Sequence, residues 1–377
     1  RLPVLLQRII RHVYIFLLVS LAATVGTLPI VAYYFNQLSA VTLMANLVAV
    51  PLLGILALIP AMAFILAAPF SSWLAGLLVN IASFFTSFAV SFIHWLSSFS
   101  WASFHFVKPH LIEIALFYLF LFFLVEAISA SGAIARKGFL VRHPSLAKTG
   151  LLMIIIFFIA DAVYFTFKNR CSTDFRVTAI DVGQGSATLV EFPHGVTMLI
   201  DGGGFPDSTF DIGRFVIAPF LYTRRLSRID IIVLTHPHPD HLQGLIYVAH
   251  HFGVREAWRT DWTADDDLYR LWEKALSDNH IKVTLLSSQS PRRYLSGAAI
   301  DFYWPPHTPA ANKRSVSYED INDSSLVMKI SYGANSFLIT GDISSRVESL
   351  LLQSGRNIRS NLIFVPHHGS ASSSANS

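Results

Sequence analysis

The chain has 377 residues, 53% of them hydrophobic and only 14% charged, with a mean hydropathy of +0.50. That excludes a wholly water-soluble protein of this size. The uneven charge locates the reason, since no Asp, Glu, Lys or Arg stands between Arg11 and Lys108 and most charged residues lie beyond Lys148. Two domains in two solvents are expected, residues 1–170 in a bilayer and residues 171–377 in water. The lone cysteine, Cys171, excludes a cystine scaffold or a cysteine-rich zinc site, so a metal must be held by His and carboxylates. The net charge of +4 points only weakly to an anionic partner. The chain opens at Arg1 without a signal-peptide pattern and is expected to be part of something longer.

Crossing the hydrocarbon takes about 20 apolar residues as a helix, because every backbone polar group must be paired internally there. Five such passages are predicted, at 13–35, 41–69, 73–98, 110–128 and 149–167. The second contains Pro51 and Pro60, and is either a kinked span or a broken, re-entrant one. Arg1, Arg8 and Arg11 precede the first passage, while Arg136, Lys137, Arg142 and Lys148 separate the fourth from the fifth. The positive-inside rule puts both regions in the cytoplasm, so everything after Phe167 falls on the periplasmic or extracellular side of the cytoplasmic membrane. Glu113, Glu126 and Asp161 lie in or beside passages, where ionisable groups are costly. The aromatic residues Phe84, Phe85, Phe88 and Phe92 either pack between helices or line a channel.

From Arg176 the texture changes to short β-branched runs punctuated by glycine. Strands are predicted at 176–181, 186–191, 197–200, 229–235, 325–331 and 336–340, with helices at 242–251, 265–277 and 346–353. The mixture gives an α/β domain. The strand at 229–235 runs into His236-Pro237-His238-Pro239-Asp240-His241. Three imidazoles and a carboxylate at the end of a buried strand belong in no hydrocarbon core. His236 and His238 can reach one ion, and Asp240 with His241 a second; such ligands suit zinc, manganese or iron. Asp201, Asp342 and the pair His367-His368 each follow a predicted strand as well, where a sheet fixes the root of a side chain and a loop leaves its tip open.

Asp181 through Gly185, Leu199 through Gly203, Leu234 through His241, Thr340-Gly341-Asp342 and His367 through Ser370, in that order, resemble the metallo-β-lactamase domain of ComEC-type DNA-uptake channels. Residues 21–29, Ala32 through Phe35 and 45–51 resemble the same family's membrane competence domain. The resemblance implies a multi-pass α-helical membrane domain followed by an αββα sandwich, each incomplete at its free end. It implies two divalent metal ions, Zn or Mn. His236 and His238 would hold the first, Asp240 and His241 the second, with Asp342 bridging and His368, or its neighbour His367, completing the second. Asp201 would orient a ligand imidazole, and Asp240, Asp342 and Asp201 form the catalytic set.

Two departures stand out. Ser186 occupies a position where the family usually has Asp. No histidine between His241 and Asp342 is a clear third ligand for the first metal; His250, His251, His280 and His307 qualify by type only, and Asn322 or Asp323 by position.

Two cations sharing a carboxylate can neutralise both the attacking and the leaving oxygen of a phosphodiester without a protein nucleophile. Ser370 and the Gly369 amide are placed to hold a phosphate oxygen. Arg224, Arg225, Arg292 and Arg293, with Arg228 and Lys313-Arg314, would form a track for DNA, and Tyr222, Trp258 and Trp262 would supply stacking faces. The favoured reading is uptake of single-stranded DNA through the membrane helices with hydrolysis of the other strand. Partners would be DNA, membrane lipid, other competence proteins and a second copy of the chain. The alternatives are a membrane-anchored hydrolase of an envelope phosphodiester or ester, and a channel whose hydrolase domain only binds.

Overall fold

The computed structural model describes residues 3–130, 144–205, 210–306 and 321–374. Arg136, Lys137, Arg142, His307, Lys313 and Arg314 lie outside them. By contacts the chain divides into two units at Ile156 and Phe157, inside a helix and earlier than the boundary expected near residue 170.

The first unit contains α1 (Val4–Phe35), β1 (Gln37–Ser39), α2 (Thr42–Pro51), a π-helical turn over Leu52–Ala57, α3 (Leu58–Ala67), α4 (Ser72–Ser97), β2 (Ser103–His105) and α5 (Leu111–Ala130). The next helix, α6 (Pro144–Cys171), runs on into the second unit. Among the described residues, five helical segments are long and apolar enough to cross a membrane, and at most 17% of the most apolar window of any of them is buried within the protein. Such surface is stable only against lipid. Helix α1 starts nine residues before the passage predicted from residue 13, so Arg8 and Arg11 lie on its first turns rather than ahead of it. The helix continues because arginine is a good helix former in water.

Passage two is continuous. Pro51 ends α2, a wide turn follows, and Pro60 sits in the opening turn of α3, where a missing amide donor costs least. Strands β1 and β2 pair antiparallel, Gln37 with His105 and Ser39 with Ser103. The end of α1 and the end of α4 are therefore neighbours.

The second unit follows α6 with β3 (Arg176–Ala179), β4 (Thr188–Glu191), β5 (Thr197–Ile200), α7 (Ala218–Thr223), β6 (Arg228–Leu234), α8 (Pro239–His251), β7 (Gly253–Arg259), α9 (Asp267–Asp278), β8 (Lys282–Leu285), β9 (Arg293–Leu295), β10 (Ala298–Trp304), β11 (Val327–Tyr332), β12 (Asn335–Ile339), α10 (Ser345–Gln353) and β13 (Leu362–Ile363). One sheet has the order β3-β4-β5-β6-β7-β8 and the other β13-β12-β11-β10-β9. From β5 to β8 the first sheet is parallel.

Alternation along the strands sorts side chains into layers. Met198, Ile200, Ile231 and Val233 meet Ile300, Phe302, Met328 and Ile330 between the sheets. Leu199 and Ile232 face outward under Leu245, Val248, Trp272 and Leu276 of α8 and α9. Val327 and Leu338 face outward under Val347 and Leu351 of α10. The result is helix, sheet, sheet, helix. Strand β6 is buried at every position after Arg228, as a strand covered on both faces must be.

Candidate metal centre

The site lies where β5, β6 and β12 end. Past β5, Asp201 takes a positive φ of 57° and turns its carboxylate back across the sheet. Its Oδ1 accepts the Thr235 amide at 2.8 Å, and its Oδ2 accepts the Thr235 hydroxyl at 2.8 Å and lies 2.8 Å from His241 Nδ1. That contact fixes the imidazole tautomer. With Nδ1 held by Asp201, His241 Nε2 points at Asp342 Oδ1, 3.3 Å away, and offers a lone pair to a cation once its proton is displaced.

Past β6 the chain passes Thr235 and His236 and enters α8 at Pro239, with His238 in an extended conformation ahead of it. The helix was expected from Leu242, so this is a correction. Proline at the first helical position has its φ already set and gives up an amide that has no partner there anyway. Asp240 and His241 are thus rooted in a first helical turn, whose dipole favours the carboxylate.

Past β12, Gly341 turns at φ 56° and delivers Asp342, whose amide donates to Ser325 Oγ at 3.0 Å. Past β13, His367 and His368 both hold left-handed backbone, with φ of 48° and 51°. His368 Nε2 stands 3.4 Å from Asp342 Oδ2 and 3.7 Å from Asp240 Oδ2.

Asp240, His241, Asp342 and His368 each offer a ligand atom, and the four atoms lie within 4.8 Å of one another. His236 Nε2 is 3.9 Å from Asp342 Oδ2, and the His236 and His238 rings are 4.8 Å apart. His367 is turned away, its Nδ1 2.9 Å from Ser372 Oγ and its Nε2 3.4 Å from Asn322 Nδ2. Of the two histidines, His368 is the one in the cluster.

The donors fit a cation. His236 Nε2 and Asp240 Oδ1 are buried without a hydrogen-bond partner, which is costly unless something electropositive meets them. Burial, with the neighbouring His241 charge, holds His236 well below the usual imidazole range, and burial lowers His238 to about 4. Against the pull of burial, Asp201 and Asp342 hold His241 well above that range, and His241 and His368 hold the Asp342 carboxyl well below its own. Lone pairs on His236 and His238 beside an ionised Asp342 are the protonation states that ligation needs.

Other expected residues lie elsewhere. Arg224 and Arg225 precede β6 at the end remote from the metals, about 20 Å away at ~3.3 Å per strand residue. Arg224 binds both oxygens of Glu191, at 2.9 and 2.6 Å. Arg225 pairs with Asp161 at 3.5 Å and lies 4.0 Å from the Phe165 ring centroid. Arg292 binds Asp301 at 2.7 Å, and Arg293 lies over the Trp258 ring. Carboxylates and rings of the same chain engage each of these four cations. Trp258 is 1% exposed and Tyr222 4%; both are core residues rather than stacking faces, since each ring is taken up by the packing.

His250 and His251 end α8, whose first turn carries the site. Asp323 accepts the Ser344 amide and pairs with Arg346, so it supports α10. Ser186 lines the cleft beside Asp201 and His368 and donates its amide to the Asp240 carbonyl at 3.2 Å.

Comparison with known families gives two matches: the competence protein family over residues 2–130 and the metallo-beta-lactamase superfamily over residues 180–280. The chain joins a competence-protein region to a metallo-beta-lactamase domain. ComE operon protein 3 of Bacillus subtilis (strain 168) is 26% identical over 375 residues, 94% of this chain and 44% of that protein. YcaI of Escherichia coli (strain K12) is 28% identical over 204 residues, 54% of this chain and 23% of that one. The chain therefore spans less than half the length of these relatives.

Among solved structures, the diiron β-hydroxylase CmlA of Streptomyces venezuelae is 18% identical with a TM-score of 0.34, covering 51% of this chain and 35% of that one. A metallo-beta-lactamase superfamily protein of Sulfolobus tokodaii is 18% identical with a TM-score of 0.28, covering 44% and 62%.

Proposed function

We propose that this chain is the channel-and-hydrolase part of a DNA-uptake protein of the cytoplasmic membrane, moving one strand inward while the second unit hydrolyses the other. The observation that carries the reading is the coexistence, in one chain, of five membrane-length helices in and after a competence-protein region with the Asp240, His241, Asp342 and His368 cluster. An anchor alone needs one helix.

Two divalent ions, Zn or Mn, would be held by His236 and His238 on one side and Asp240, His241 and His368 on the other, with Asp342 between them. When bound, they supply Lewis acidity and bring the pKa of water toward ~7. The protein's own groups do the rest. Asp201 fixes the His241 ring, the buried sheet ends exclude bulk water, and Asp240 Oδ1, free of hydrogen bonds, is placed to take a proton from an attacking water. The second unit would sit outside the cell. The basic Arg8 and Arg11 mark the inner side of α1, the β1–β2 pairing sets the far ends of α1 and α4 on one face, and an odd number of crossings then leaves residue 171 opposite Arg8.

The engaged state of Arg224, Arg225, Arg292 and Arg293 favours a second reading, an anchored hydrolase of an envelope phosphodiester that has no DNA track. The test is the full chain in detergent, incubated with labelled single- and double-stranded DNA and Mn²⁺ or Zn²⁺. Metal-dependent cleavage is expected, with His238→Ala and Asp342→Asn at least about 100-fold slower, the scale on which loss of electrostatic stabilisation acts. No cleavage of DNA alongside turnover of a small phosphodiester would establish the second reading instead.

A further inference from the structure

We propose that Asn322 completes the first metal site, its amide oxygen serving beside His236 and His238 where the cluster among the described residues supplies no third imidazole. The proposal rests on the metal reading above and chooses Asn322 from among the candidates that residue type and position in the sequence left open.

Asn322 is 4% exposed, and its Oδ1 is buried with no hydrogen-bond partner. The other branch of the amide is occupied, since Nδ2 lies 3.4 Å from His367 Nε2. The His367 ring is also among the groups whose charge acts on His238. The Asn322 amide thus contacts a ring that is itself close enough to act on His238.

The turn that carries Asn322 is tied to the site from both directions. Ser325 donates its amide to the Asn322 carbonyl at 3.0 Å and its hydroxyl to the same oxygen at 2.7 Å. That Ser325 hydroxyl accepts the Asp342 amide at 3.0 Å. The next residue, Leu326, donates to the carbonyl of Thr235 at 2.9 Å, directly before His236. The Asn322 turn is therefore tied through Ser325 to Asp342 and through Leu326 to Thr235, the residue before His236. Its neighbour Asp323 is spent on the Ser344 amide and Arg346.

A neutral amide oxygen is a harder and weaker donor than imidazole, and suits manganese or magnesium better than zinc. The two sites should therefore differ. The site of Asp240, His241 and His368 binds first and tightly, and the site of His236, His238 and Asn322 binds second, exchangeably, and with a preference for Mn²⁺ over the preference an all-imidazole site would show.

The test is Mn²⁺ titration of the metal-free full chain in detergent, with free Mn²⁺ read by its electron paramagnetic resonance signal. Wild type should bind two ions of unequal affinity. Asn322→Ala should leave the tight ion in place and weaken the other at least tenfold. Asn322→Asp, which keeps the oxygen and adds charge, should tighten it, and Asp323→Asn should leave both unchanged. Unchanged affinities in both Asn322 variants overturn the proposal while the metal reading stands. Failure of wild type to bind any ion overturns both.

Discussion

The His368 side chain is 39% exposed, unlike the buried His236, His238 and His241. Its hydrogen bonds to Asp240 and Asp342 raise its pKa to about 9. Near neutral pH the metal-free site therefore carries a proton on a group that must be neutral to ligate. Metal entry expels that proton, and the one Asp201 and Asp342 hold on His241, so affinity should climb with pH through about 9 and the binding heat should depend on the ionisation enthalpy of the buffer. The same shift stabilises the metal-free fold. The contribution is complete below the unfolded value near 6.5 and disappears as pH rises through about 9. Calorimetric titration in two buffers at pH 7 checks the expelled proton; a heat independent of buffer would contradict it.

At this scale the sequence was informative where chemistry was concentrated. The residues from His236 to His241 crowd too many lone pairs into one strand end to serve a core. Asn322 stood out only by position, because an amide is common in turns and its orphaned oxygen is visible only once the fold has closed around it. The partners of the arginine doublets were hidden for a related reason: a cation read along the chain shows no partner, and the partners here, Glu191, Asp161 and Asp301, come from distant segments.

Among the elements, α8 couples the fold to the site. Its Gly244 lies so close to the turn after β5 that an added Cβ would fall 2.0 Å from the Gly202 carbonyl oxygen, while the Gly202 amide donates to the His241 carbonyl at 2.7 Å. Gly244→Ala should push the helix outward, carry His241 away from Asp201, and lower both stability and metal affinity. The overpacking term is about 1–3 kcal/mol, which thermal unfolding of the metal-free chain would register. An unchanged melting temperature would show that the helix is not clamped there.

The same element shows why boundaries were hard to read. Pro239 serves equally as a turn residue and as a helix opener, and only the packing of α8 on the sheet decides. Strand β6 was legible because both its faces are buried. Strands β7, β8, β9 and β10 were not, since Gly253–Arg259 mixes charge with apolar residues and Arg293–Leu295 is three residues long. Such strands exist through their neighbours rather than through their own pattern.

For the whole molecule, the number of crossings decides which compartment receives the second unit. Cys171 is exposed and is the sole cysteine of the chain, so the native sequence carries its own topological probe. A membrane-impermeant maleimide applied to intact spheroplasts should label Cys171, and labelling only after lysis would reverse the proposed orientation. The five apolar passages were legible from composition, because nothing but lipid tolerates 96 residues without a formal charge between Arg11 and Lys108. The place where the second unit begins was not legible, because Asp161 and Phe165 join it through Arg225 from within a continuous helix.

That join has a directional consequence. Asp161 meets Arg225, and the Ser172 carbonyl accepts the His194 amide at 2.7 Å; both partners stand three residues ahead of β6 and β5, whose opposite tips feed the metal centre. The end of α6 therefore holds one edge of the sheet, and the candidate metal centre stands at the other, one strand length away. On the hydrolase reading proposed above, a polymer would be cut one strand length away from the residues by which α6 roots the second unit.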